Sequence, residues 1–400
     1  MDKYLHLLPM FVDKIREIRE IIISNIVLIG QIPAPTFHEK RRAEHMVERL
    51  AEFQVDECAI DNYGNPLGII RGTSPTKPPI FIVAHLDTFS ELENDQHYEV
   101  TDKIISGMGV SDNSAAVGVL ISLPEIFKRL DLQFTSDIVL VAPIQSLGRG
   151  NLRGIRRLLS NWPSPIRGAL CLESIELGRL NYFSYGMIRS EISCSIAVEE
   201  HENRRYKPNA IMVINEVINA ILGLRMPQKP RTQIVIGRIA GGFDHGKIAY
   251  DASIGFEIQS DSDDMVKALY GDIRDIVEGI NKTFDVVLQL NRISNLNQTR
   301  LNYNHPLIKS ASRILNHLGV EIFSEPSETA LTIFLHRKIP AITLGLTRGN
   351  NFHQNDAMIE IEPMYKGVAQ IPALLMAMDN GVCDEKRLDQ IEHVPPFSLQ

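Results

Sequence analysis

Four short stretches of this chain carry residues that can hold a divalent metal, and a fifth conspicuously does not. "VAHLDTFS" places His85 at the end of an apolar run with Asp87 two residues on. A neutral imidazole ligates metal well, and a nearby carboxylate can fix its tautomer. "GMGVSDNSAAVGVL" puts Asp112 where a glycine-rich loop enters a helix, a place where Ser111 or Asp112 could equally serve as a cap. "ALCLESIELG" supplies Glu173 and "LGLTRGNNFHQND" supplies His353. Two imidazoles and two carboxylates converging on one rim suit a borderline ion such as zinc. The fifth stretch, "IVLVAPIQSLGRGNLRG", brings only an uncharged amide, Gln145, and a hydroxyl, Ser146, to the same rim.

The elements that must position these residues read as an α/β layout. "PIFIVAHLD" (79–87), "SDIVLVAP" (136–143) and "IRGALCLE" (166–173) are near-continuous apolar runs, the pattern of buried parallel strands, and "AITLGL" is a fourth. Helical segments follow at 112–130 and 151–160, and "DNYGNP" is a turn between two strands. Such sheets collect chemistry just past the carboxyl ends of their strands. From about residue 190 the order becomes β-α-β-β-α-β, which suggests a ferredoxin-like insert. The expected division is residues 1–190 and 300–400 as a catalytic-type domain, with 191–299 inserted. The polar stretch 291–306 reads as the link back to it, and the N-terminal 30 residues as an amphipathic helix packing on the domain.

Taken together, these motifs resemble the aminoacylase–tripeptidase family of di-zinc exopeptidases and deacylases, which includes peptidase T and acetylornithine deacetylase relatives. "IPAPTFHEKRRAEHM" is similar to that family's entry loop and helix, "VAHLDT" to its first ligand motif, and "GVSDN" to the aspartate bridging two metals. "CLES" matches an acidic ligand, "FHQND" the terminal histidine, and "PNAI" with "IVIGRIAGG" the inserted dimerisation domain. The resemblance implies that His85, Asp112 and Glu173 hold one metal and that Asp112 and His353 share a second with one more carboxylate. It also implies that Asp87 orients His85, and that His201 in "EEHENRRY" corresponds to a histidine reaching a neighbouring subunit's site, in diverged surroundings. A homodimer follows from the same likeness.

At the end of the third strand the family carries two glutamates, one the general base and one a ligand of the second metal; this chain has Gln145 and Ser146. Glutamine cannot take a proton near neutral pH, and loss of a general base alone costs on the order of 10²- to 10⁴-fold in rate. Serine ligates zinc poorly unless ionised, so the second site should be weak or empty and one zinc per chain is expected. A single zinc with three protein ligands and an open position could still acidify water. Ala357, Gly246 and Glu328 also depart from the family pattern; Glu176, three residues past Glu173, is either a substitute carboxylate or a surface turn residue.

Composition sets the outer limits. A net charge of -8 leaves no basic surplus for nucleic acid, and 44% hydrophobic residues with 22% charged describe an ordinary globular chain. The four cysteines are widely spaced, as in a reduced cytoplasmic protein, and the charged N-terminus fits neither a signal peptide nor a membrane span. Two functions remain open: a metal-dependent hydrolase of small peptides or N-acyl amino acids with a degenerate site, or a non-catalytic relative binding a peptide-like ligand or protein partner in the old cleft.

Overall fold

Four parallel strands, Ile138–Val141, Ile80–Val83, Gly168–Ile175 and Ala341–Thr347, lie side by side in that order at the centre of a seven-stranded sheet. A computed structural model of the chain describes residues 1–89, 96–196, 209–284, 286–350 and 356–385. Antiparallel strands flank the parallel four, Glu57–Ile60 and Pro66–Ile70 on one side and Leu180–Asn181 on the other. Alternation explains why the central runs are apolar throughout. Ile80 and Ile82 face a cluster that includes Ile26, Val119 and Leu374, whereas Phe81 between them meets Trp162 and Phe334 edge-on at centroid distances of 4.8 and 5.9 Å. Helices therefore cover both faces, as parallel sheets require.

The N-terminal region differs from the expected single amphipathic helix. It forms three segments, Asp2–Leu5, Leu8–Glu17 and Arg19–Gly30. Leu8–Glu17 buries Leu8, Phe11 and Ile15 at helical spacing. Arg19–Gly30 is apolar nearly all round because it runs inside the domain against Ala115–Arg129. Their approach is close: a Cβ on Gly118 would stand 2.6 Å from the Ile26 backbone. Among the described residues, no helix is long and apolar enough to cross a membrane, and the four cysteines form no disulfide.

The described residues fall into two compact units, one built from Met1–Phe183 with the chain from Arg300 onward, the other from Ser184–Thr299. The second carries an antiparallel sheet ordered Thr232–Gly241, Asp251–Ser260, Gly186–Ser195, Val287–Leu296, with the helices Ala210–Leu222 and Asp263–Phe284. Both chain order and strand order are those of a ferredoxin-like α+β unit. The last strand runs to Leu296, into the stretch expected as a linker. It is an edge strand whose solvated positions from Gln289 onward are polar, and Leu288 and Leu296 turned inward keep it in the sheet.

Candidate metal centre

His85 stands just past the end of Ile80–Val83. The Ala84 N–H donates to the Val141 carbonyl and the Leu86 N–H to that of Pro143, so the chain stays extended and the ring leaves the sheet edge at a fixed place. The Nδ1 of His85 lies 2.9 Å from the backbone carbonyl of Asp87, which makes Nδ1 the N–H donor and directs Nε2 to the other side. There Nε2 meets Asp112 Oδ1 at 3.0 Å and Glu173 Oε2 at 4.0 Å. One ligating atom from each of His85, Asp112 and Glu173 lies within 4.8 Å of the other two. Three of the four ligands expected from sequence thus come together. His353 and His201 lie outside the described residues.

Asp112 reaches this position through its neighbour. Asn113 is fully buried; its Nδ2 donates to the Leu172 carbonyl at 3.0 Å, and its Oδ1 accepts the Ser174 N–H at 2.8 Å and the Ser174 hydroxyl at 2.9 Å. The amide thus clasps the strand on both sides of Glu173 and sets Asp112 opposite it. Ser174 completes the joint by accepting the Ala116 N–H at the start of the Ala115–Arg129 helix. Asp112 and Asn113 themselves are non-helical, so neither continues the helix that the sequence suggested over 112–130.

The electrostatics of the cluster are those of a site short of positive charge. Burial pushes the Glu173 carboxyl up to about 7, with Asp112 adding to the effect and His85 and Arg179 opposing it. Burial alone would lower His85, but the hydrogen bonds to Asp112 and Asp87 and the charges of Asp112 and Glu173 outweigh it and hold the imidazole well above its ordinary value. A divalent cation would replace those protons, because ligation needs a neutral imidazole and ionised carboxylates. One nitrogen and two carboxylate oxygens on a buried rim fit such an ion.

Asp87 is fully buried and faces the His85 ring with two groups: its carbonyl accepts the Nδ1–H, and its carboxylate Oδ1 stands 3.7 Å from Nδ1. Oδ2 accepts the Thr36 hydroxyl at 2.9 Å and the backbone N–H groups of Ser146 at 2.9 Å and Leu147 at 2.8 Å. Glu39, also buried, accepts the Gln145 N–H at 2.8 Å; burial raises its carboxyl against the pull of that bond. Three consecutive amides of the 145–147 loop are thereby held by two carboxylates. Arg42, fully buried, donates to the carbonyls of Gly30, Ile32 and Leu86 and ties the peptide between His85 and Asp87 to the body of the domain. Burial lowers its pKa to about 10, which leaves it charged at neutral pH.

Gln145 occupies the rim half-buried, in a left-handed backbone conformation with φ 51°. Ser146 is buried, and its hydroxyl donates to the Pro143 carbonyl at 3.3 Å. Glu176 stands apart from the cluster, exposed in a turn and paired with Arg179 at 3.6 Å. Ala357 is buried with its carbonyl accepting the Gly107 N–H, Gly246 is exposed in the second unit at φ 68°, and Glu328 is part-buried. Asn113, Glu39, Thr36 and Arg42 carry the scaffolding of the site and were not singled out from sequence. Their motifs, "GVSDN" and "PTFHEKRR", were visible, but polar residues before a helix look like caps until their distant partners are known.

No protein-family model and no curated protein matches the chain. Solved structures do. The di-peptidase Dug1p from Saccharomyces cerevisiae superposes with a TM-score of 0.76 at 13% identity, over 94% of this chain and 99% of its own. Human carnosine dipeptidase 1 gives 0.74 at 12%, covering 94% and 100%. Aminopeptidase PepT from Bacillus cereus gives 0.67 at 15%, covering 90% and 98%. At these identities the likeness establishes the fold, which is the one the sequence motifs implied.

Proposed function

We propose that this chain is a metal-dependent hydrolase of amide bonds, acting on a small peptide or an N-acyl amino acid, with weak or altered activity. The observation that carries the proposal is the convergence of His85, Asp112 and Glu173 on one buried rim of this fold. These residues would hold one zinc ion per chain. The chemistry an ion supplies when bound there is Lewis-acid polarisation of a carbonyl and a lowered pKa for water. Ser146 brings a neutral hydroxyl, a poor zinc ligand, where a carboxylate would serve a second ion, so that site is weak or empty. Gln145 can orient a water through its amide but cannot take its proton. The fold similarity to peptidases supports the reading without assigning a substrate.

A second reading, a non-catalytic protein binding a peptide-like ligand in the same cleft, is favoured by Gln145 and Ser146 alone. Metal content per chain, measured alongside hydrolysis of a panel of dipeptides and N-acetyl amino acids, separates the two. One tightly held ion with slow, metal-dependent hydrolysis supports the enzyme. Metal and ligand binding without any hydrolysis supports the binder. We further place the protein in the cytoplasm as a homodimer formed through the Ser184–Thr299 unit, where Ile211, Met212, Leu222 and Ile239 are exposed.

A further inference from the structure

Two arginines one turn apart on the Arg153–Asn161 helix, which follows the Gln145 loop, each lie over an aromatic ring. The Arg153 guanidinium carbon is 5.8 Å from the centre of Phe37, and that of Arg157 is 5.2 Å from the centre of Tyr63. Among the described residues, neither arginine makes an ion pair with a carboxylate. Phe37 is itself unusual. It is 46% exposed and has φ 80°, a left-handed conformation that a bulky side chain rarely adopts. An aromatic ring held in strained backbone and facing solvent is a feature more often kept for contact than for folding.

This pair is joined to the site by short links. Thr36, next to Phe37, donates to Asp87; Glu39, two residues on, accepts the Gln145 N–H. The Arg153 N–H donates to the Gln145 carbonyl at 3.1 Å. Phe37 and Arg153 are therefore both tied to the loop that carries Gln145, Phe37 through its chain neighbours and Arg153 through its own backbone. The segments that build this rim are one-sided in charge. Residues 145–157 contain Arg149, Arg153, Arg156 and Arg157 and no acid, and in residues 36–42 the only acid is Glu39, buried on Gln145. In a chain with a net charge of -8 this is a local reversal of sign. A guanidinium stacked on a ring keeps its in-plane N–H fork available to a carboxylate.

We infer that the Arg153–Phe37 rim is a carboxylate subsite, so that the peptide or N-acyl amino acid taken by this cleft is an acidic one, bearing an aspartate or glutamate. The inference rests on the cleft being the ligand site proposed above. Acidic, neutral and basic dipeptides of matched size are compared with the zinc-loaded full chain, both for hydrolysis and for direct binding by calorimetry at low and high salt. The acidic peptides should be preferred, and Arg153→Gln should reduce the acidic-to-neutral ratio at least tenfold. Arg153→Glu should invert it toward lysine-bearing peptides, and Arg153→Lys, which keeps charge but not the fork, should fall between. Thermal melts report whether each variant is folded. An acidic-to-neutral ratio near one in the parent, or a ratio unchanged by Arg153→Gln in a folded protein, overturns the inference while leaving the hydrolase reading intact. If nothing is hydrolysed, the hydrolase reading falls separately and the binding ratios alone decide: a salt-sensitive acidic preference lost with Arg153→Gln supports the subsite, and no binding of any peptide overturns it.

Discussion

The Asp87 carboxylate accepts the backbone N–H of Ser146 at 2.9 Å, so the residue whose carbonyl holds the His85 ring also holds the loop that carries Gln145 and Ser146. With Leu147 N–H on the same oxygen and Gln145 N–H on Glu39, the loop backbone is anchored independently of its side chains. Gln145→Glu with Ser146→Glu should therefore place a base and a ligand on an existing frame. The double variant should bind a second zinc and gain at least ~10²-fold in amide hydrolysis over the parent, with either single change falling short. Two bound metals without hydrolysis would favour the binding-protein reading instead.

Metal stoichiometry is a more direct test. After chelation, reconstitution with zinc and exhaustive dialysis, one equivalent per chain should remain, and His85→Ala or Glu173→Ala should abolish it. Zinc at ~100 times its dissociation constant should stabilise the parent by about 2.7 kcal/mol in melts or denaturant titrations. Two equivalents retained through dialysis would point to a carboxylate or imidazole taking the place of Ser146.

Asn113 should matter as much as a ligand although it touches no metal. Its amide uses a donor on Leu172 and an acceptor on Ser174, so Asp cannot replace it and Ala leaves both partners unpaired. Asn113→Ala should cost about 1–3 kcal/mol of stability and weaken zinc binding by roughly 10- to 100-fold, as loss of outer support for ligands does. Unchanged zinc affinity in a destabilised protein would confine the residue to folding.

What could be read from the sequence follows from where the information sits. His85 and Glu173 were legible because buried parallel strands are written as unbroken apolar runs whose ends mark the rim, and Asp112 because a glycine-rich loop enters a helix there. Asn113 and Glu39 were not, because their partners lie 59 and 106 residues away. Asp87 was legible as a residue near His85 but not in its hold on the loop, since nothing local shows that its carboxylate turns to the amides of 146 and 147. The 287–296 strand was partly lost for a different reason: on an edge strand the solvated face reads like a linker.

Assembly can be tested on the second unit. Leu222 is 71% exposed at the end of the Ala210–Leu222 helix and Ile239 is 66% exposed on the edge strand Thr232–Gly241. Exposed apolar residues on a sheet edge are association sites unless blocked. The chain should scatter light as a homodimer at micromolar concentration, and Leu222→Glu with Ile239→Lys should make it monomeric. A parent that is monomeric while this unit is folded would contradict the proposal.

Acid stability should trace to Asp379, far in sequence from the site. Burial alone would raise its pKa, but Oδ2 accepts the Thr135 N–H at 2.8 Å, and Oδ1 accepts the Thr135 hydroxyl at 2.7 Å and the Ser136 N–H at 2.8 Å. These bonds hold the carboxyl below its ordinary value near 3.8. A folded-state pKa below the unfolded one adds stability that is fully present above the unfolded value and disappears as pH falls through the folded value. The Asp379 contribution should thus be level near neutrality and fall away below about pH 4, where unfolded aspartates take up protons. Asp379→Asn presents an N–H₂ to a backbone donor and should lose about 1–3 kcal/mol at pH 7, while its midpoint should fall less steeply on acidification than the parent's. Parallel acid limbs for the two proteins would show that other carboxylates set the acid response.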